Sequence, residues 1–189
     1  LKILDFNLNN INGGSIEIIC SKKNSKHKVN KLKILKLLND EKKINYSSYI
    51  NFNNRVNRVK QLFKMFLDLK SNKKIIGYGA STKGNIVLNH CEVTNKQIKE
   101  ICDGSIRKKG KFTPGTNIKI ISKQKMRKKC PDYLLILIWS FRKEVIKQEK
   151  DLIEKGVKLV FLLPKFHIVN KDNYKRYLKE NFKNMSYEY

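Results

Sequence analysis

One stretch of this chain has residue types and spacing that can do chemistry: Gly77-Tyr78-Gly79-Ala80-Ser81-Thr82-Lys83-Gly84-Asn85, directly after the apolar pair Ile75-Ile76. A glycine-rich turn from a strand into a helix lets main-chain N–H groups approach a phosphate at the positive helix end. Asp103 closes the next apolar run, at the place where doubly wound domains hold ribose hydroxyls. The spacing fits neither standard motif. In G-x-G-x-x-G the third glycine would stand where Thr82 is, and a P-loop needs Lys and Ser or Thr where Asn85 and Ile86 follow Gly84. By spacing alone the turn reads either as a nucleotide cradle or as a tight structural turn.

A second loop, Lys108-Lys109-Gly110-Lys111-Phe112-Thr113-Pro114-Gly115-Thr116, follows Asp103 and is expected on the same carboxyl edge of the sheet, where open α/β folds bind ligands. Its lysines either meet a diphosphate or are ordinary solvated side chains. Trp139 and Phe141 end the strongest strand at that edge, where an indole stacks on a base or closes the core. Cys20, Cys91, Cys102 and Cys130 form no C-x-x-C pair and no Cys/His cluster, so no metal site is expected. Cys20 and Cys102 end apolar stretches that suit small buried thiols, in agreement with a reducing, cytoplasmic setting.

These residues need elements to position them. Residues 1–20 read as two short strands joined at Asn12-Gly13-Gly14, with Ile16, Ile18 and Cys20 alternating against polar positions. In residues 21–72, Leu32, Leu35 and Leu38 mark a short amphipathic helix. Ser47 or Ser48 is placed to cap a longer one with Phe52, Val56, Val59, Phe63 and Phe66 on one face. This segment is a helical connector expected to pack on the domain C-terminal to it. Residues 73–166 alternate apolar strands (Ile75–Tyr78, Ile98–Cys102, Ile118–Ile121, Tyr133–Trp139, Val157–Leu163) with helical stretches, among them Lys83–Cys91, a short Lys-rich segment and Phe141–Glu154. Strands apolar throughout belong in a parallel sheet covered on both faces, so the fold class is a small Rossmann-like α/β domain. Residues 167–189 are expected to form a tail, with a surface helix from Asn170.

Composition sets the outer limits. With 40% hydrophobic and 10% aromatic residues the chain can build a core, which excludes collagen-like and wholly disordered classes. The longest apolar run, Tyr133–Trp139, is far short of the roughly 20 residues that cross a bilayer. No leader pattern opens the chain, and the start at Leu1 rather than Met is expected of a piece of something longer. The net charge of +26 would draw nucleic acid, but it comes from 36 Lys and only 6 Arg alongside 21 Asn and 22 Ile. Those residues share adenine- and thymine-rich codons, whereas a dedicated nucleic-acid binder uses more Arg for its bidentate grip. Codon bias is the reading preferred here, with a nucleic-acid-binding module kept as a rival.

Taken together, Ile76 to Asn85, Asp103, Lys109 to Thr116 with Ile118-Lys119-Ile120, and Asp132 to Trp139 followed by Glu144-Val145 resemble the C-terminal domain of the sugar C-methyltransferases. Gly13-Gly14-Ser15-Ile16 is similar to the last hairpin of that family's methyltransferase domain, so the resemblance runs from about Asn12 to Pro164. Ser81-Thr82 stand where the family often has less polar residues, and Lys119 where Pro is common. The resemblance implies an S-adenosylmethionine-dependent enzyme that methylates a carbon of a nucleotide-linked deoxy-keto-sugar. It also implies a zinc-binding and a cofactor-binding domain, neither of whose motifs is in this sequence, so the chain is expected to be a catalytically incomplete fragment that binds no cofactor alone. Methylation beside a keto group needs a base, an oxyanion stabiliser and an in-line methyl donor. His27, His90 and His167 read instead as surface or packing residues. The role implied for this domain is to clamp the nucleotide-linked sugar against a methyltransferase domain. Gly77, Tyr78, Gly79, Lys83 and Asn85 would form the phosphate-facing turn, with Asp103, Lys109 and Thr116 as neighbouring contacts. The enzyme rival is a nicotinamide-dependent oxidoreductase domain using Gly77 to Gly84 and Asp103.

Overall fold

A computed structural model describes residues 1–180, and the part of the expected tail beyond Glu180 lies outside them. The chain divides into two compact units, Leu1–Val56 and residues 57 onward. In the first, β1 (Lys2–Asn9) and β2 (Ser15–Ser21) pair antiparallel from Lys2 opposite Ser21 to Asn9 opposite Ser15. Asn12, Gly13 and Gly14 all take positive φ in the turn between them, a conformation that favours Asn and Gly. Helix α1 (Lys31–Glu41) is capped by the Asn30 side chain and tied to β1 by a 2.9 Å ion pair between Lys33 and Asp5. Only Phe6 is buried in this unit, while Leu32, Leu35 and Leu38, the apolar stripe of α1, are exposed.

The boundary falls inside α2 (Tyr46–Leu69), not at its end. Its cap is Asn45, which exchanges hydrogen bonds with Ser48: the Asn45 side chain accepts from the Ser48 N–H and the Ser48 hydroxyl from the Asn45 N–H. In the second unit Val59, Phe63, Phe66 and Leu67 of this helix are buried, with Phe66 edge-on to Tyr133 at 5.2 Å.

The sheet of the second unit has six strands in the order β5-β4-β3-β6-β7-β8. They are β3 (Ile75–Tyr78), β4 (Glu100–Asp103), β5 (Lys119–Ser122), β6 (Tyr133–Ile136), β7 (Lys158–Phe161) and β8 (His167–Val169). The first five are parallel and β8 returns antiparallel to β7. Because side chains alternate along a strand, Ile75 and Leu135 enter one core and Ile76, Leu134 and Ile136 the other, and this demands apolar residues at every position. On the first face the core is closed by α2 and by α3 (Thr82–His90). On the second it is closed by α4 (Lys123–Lys129), α5 (Arg142–Gln148), α6 (Lys150–Glu154) and α7 (Tyr174–Lys179). The fold is therefore the expected α/β sheet covered on both faces.

Three local expectations are corrected. The helix expected over Phe141–Glu154 breaks at Glu149, whose side chain is drawn into the core. The tail contributes the strand β8 and a short helix with Tyr174 buried, and not a surface helix alone. Cys20 is exposed on β2, while Cys91 and Cys102 are buried. No described helix is long and apolar enough to cross a membrane.

Candidate functional site

Strand order reverses at β3, which is followed by β4 on one side and flanked by β6 on the other. The turns leaving β3 and β6 therefore meet at the carboxyl edge, the switch point at which ligands sit in such sheets. The meeting is close. A Cβ on Gly79, where φ is +92°, would come within 2.6 Å of Ile138, and one on Gly84 within 2.7 Å of Leu137. Gly77 is equally constrained, its Cβ falling 2.9 Å from Ile101. These glycines admit the side chains of the neighbouring strand and turn, so their voids are filled by protein. What remains outward is the first turn of α3, with Thr82 and Lys83 exposed and Asn85 half-buried. The Ser81 hydroxyl caps this end by accepting from the Gly84 N–H at 3.0 Å.

Asn85 is the polar residue here with unmet capacity: its Oδ1 is buried and has no hydrogen-bond partner. It lines, with Thr82, Ile86, Asn89, Pro114 and Gly115, a cleft of about 540 Å³. The cleft runs along the outer flank of α3 because Asn89 donates both to the Asn85 carbonyl (2.8 Å) and to the Pro114 carbonyl (3.2 Å). Gly115 is required at this crossing, since at φ +76° its Cβ would meet the Asn89 amide.

The second loop thus starts at the carboxyl edge but does not stay there. Thr116 is buried: its hydroxyl faces that of Thr113, which in turn accepts from the Ile118 N–H at 2.9 Å, while the Thr116 carbonyl accepts from Asn95. It braces the loop rather than facing the edge. Lys109 is exposed, and it is Lys108 that turns inward, donating to the Ala80 carbonyl at 2.8 Å and to Asp103 at 3.3 Å. The other Asp103 oxygen accepts from the Ser105 N–H at 2.8 Å. Asp103 and Lys108 together lock the β4 turn onto the glycine turn, a role no sequence signal separates from that of the other 35 lysines.

Tyr78 also has a different place from the expected one. It is fully buried, and its hydroxyl donates to Glu149 at 2.8 Å, beneath the edge. Arg127 grips the same carboxylate through two bonds of 2.9 and 2.8 Å, and Lys123 lies 4.8 Å over the Tyr78 ring while bonding Gln148. Burial, reinforced by the Glu149 charge, holds the phenol well above its ordinary pKa, and burial pushes the Cys102 thiol up to about 12. Tyr78 is a structural residue under the site. Of the expected residues, the structure brings Gly77, Gly79, Lys83, Asn85 and Asp103 to one edge, leaves Lys109 exposed on the loop, and puts Tyr78 and Thr116 inside the protein.

Neither histidine of the second unit is placed as a base at this edge. His90 is exposed at the far end of α3 and His27 lies in the first unit. His167 is stacked between Phe161 and Tyr177 at 4.8 and 4.9 Å. Trp139 is half-buried against the second core, and Phe141 beside it is exposed. No group of three potential metal ligands occurs among the described residues.

A six-stranded α/β domain with a glycine turn locked at its switch point is the architecture, and residues 10–164 match the family described as the C-methyltransferase C-terminal domain. The chain belongs to that family. It is also similar to the C-methyltransferase NovU of Streptomyces niveus, 27% identical over 178 residues that make up 92% of this chain and 42% of that protein. The chain therefore spans less than half the length of this curated relative.

Proposed function

We propose that this chain holds a nucleotide-linked sugar for an S-adenosylmethionine-dependent sugar C-methyltransferase of the cytoplasm, working with a methyltransferase domain. The observation that carries this reading is that the family match covers the whole carboxyl edge, from the β3 turn through Asp103 and Lys108 to the β6 turn. There the first turn of α3 offers N–H groups and Lys83 to a diphosphate. The adjoining cleft, with Asn85 on its wall, is within the roughly 300–1,000 Å³ range of small-molecule sites.

Leu137 and Ile138 occupy the space beside the glycines of the turn, so close packing of protein accounts for these glycines without a cofactor. In this reading the methyl donor and the base that forms the enolate both come from the methyltransferase domain. The present chain orients the sugar, and orientation alone contributes substantially to such a step. The nicotinamide reading is disfavoured because Thr82 stands where the dinucleotide fingerprint has its third glycine, and Asp103 already holds the β4 turn through Ser105 and Lys108.

Calorimetric titration of the purified chain with thymidine diphosphate, a thymidine diphosphate deoxysugar, NAD and S-adenosylmethionine tests this. Binding of the two thymidine ligands, lost in Lys83→Ala, is expected. Binding of NAD alone would overturn the reading, and silence from all four would remove the holding role from this chain by itself.

A further inference from the structure

The amino edge of the sheet, opposite the glycine turn, concentrates positive charge in a concave place. Lys73 and Lys74 lead into β3, Lys96 and Lys99 into β4, Lys119 opens β5 and Lys129 ends α4. All six line one basin of about 530 Å³. Six of its eleven lining residues are Lys, against 36 of 189 in the whole chain, so the basin is enriched well beyond what codon bias supplies. Glu100 is its only acid, and it is taken by Lys129 at 2.6 Å.

Lysines at helix C-termini complement the helix dipole, which accounts for Lys129 and for Lys74, whose ammonium donates to the Lys129 carbonyl at 2.6 Å. It does not account for Lys73, Lys96, Lys99 and Lys119, exposed residues whose ammonium groups meet no carboxylate among the described residues. Like charges crowded around a concavity repel one another and set up a field that draws an anion in. We infer that this basin is a second anion site, taking a compact polyphosphate that is recognised by charge and size.

The lining argues for that class. No aromatic side chain is present to stack on a base, and Ser71 and Gln97 are the only neutral polar side chains in it. Lysines act on phosphate as point charges without bidentate readout. A basin confined to the amino ends of three strands also differs from the extended basic track that a nucleic-acid strand follows. The four-residue strands separate it from the glycine edge by about 13 Å, so the two sites can be tested apart.

The test is calorimetric titration of the purified chain with inorganic tripolyphosphate at roughly 0.1 M salt, where the Debye length is about 10 Å. Lys96→Gln/Lys99→Gln is expected to weaken binding by about tenfold, since each lost ammonium removes a direct charge contact. Lys171→Gln/Lys175→Gln makes the same charge change at exposed positions past β8, at the opposite end of the strand order from β5, and is expected to leave binding within about twofold. Lys83→Ala removes any tripolyphosphate held at the proposed substrate edge, and the binding that Lys96→Gln/Lys99→Gln weakens is expected to persist in it, which separates the two sites. Melting curves check that each variant is folded. Equal losses in the two double variants would show a general field and overturn the site, as would silence from the unaltered chain. Displacement of tripolyphosphate by DNA at lower phosphate concentration would overturn the compact-ligand assignment.

Discussion

His167 is the residue whose chemistry the fold alters most visibly. Burial between Phe161 and Tyr177 lowers its pKa to about 4, with Arg142 and Lys165 adding to the effect, although its Nδ1–H donates to the Lys165 carbonyl. The unfolded chain gains the proton near the ordinary value of 6.5, while the folded chain gains it only near 4. Stability is therefore fully present above pH 6.5 and falls by about 3 kcal/mol as pH drops to 4. Urea titrations across that window should show the fall, and His167→Phe should flatten it. Glu149 makes a second residue-scale prediction. Its carboxylate is fully buried and depends on Arg127, so Arg127→Met should destabilise the fold by roughly 2–3 kcal/mol, the usual loss being discounted because Arg127 is half-exposed. Arg127→Met/Glu149→Gln should recover part of this, and strict additivity in the double variant would sink the idea. Neither residue announced its role in the sequence. Glu149 sits inside a continuous amphipathic period, and Arg127 in a run of basic residues that looks like a solvated face.

At the scale of elements the sequence was far more legible. Strands buried on both faces must be apolar throughout, so β3, β4, β5, β6 and β7 stand out against a chain rich in Lys and Asn. What escaped was short or depended on distant partners. Strand β8 is three residues long and carries a histidine, and the break between α5 and α6 has no Gly or Pro to mark it. The path of the second loop along α3 is set by Asn89 and Asn95, neither of which a local pattern singles out. The caps could be read in kind but not always in place: Ser48 takes part, yet Asn45 is the capping residue of α2. Helix α3 offers a test, because its start defines the candidate site. Ser81→Ala removes the bond to the Gly84 N–H and should cost about 1 kcal/mol, while Ser81→Asp should restore it. Equal stability of the two variants would show that the cap contributes nothing.

For the whole molecule the uneven distribution of buried apolar residues matters first. The unit Leu1–Val56 buries only Phe6, whereas the sheet of the second unit is closed on both faces. Hydrogen exchange should therefore be fast in β1, β2 and α1 and slow in β3, β6 and β7, and uniform protection would contradict this. Charge is the second whole-molecule feature. A net +26 spread over one small chain opposes compaction by self-repulsion, and few acids are present to offset it. Raising sodium chloride from about 0.05 M to about 0.5 M shortens the Debye length from roughly 14 Å to roughly 4 Å, so the repulsion should weaken and the melting temperature rise. Matched ionic strengths of chloride and perchlorate separate this screening from specific anion binding, because screening depends on ionic strength alone. A melting temperature that stays flat or falls in both salts would mean that the lysines are far enough apart, or mobile enough, for their repulsion to have no structural consequence.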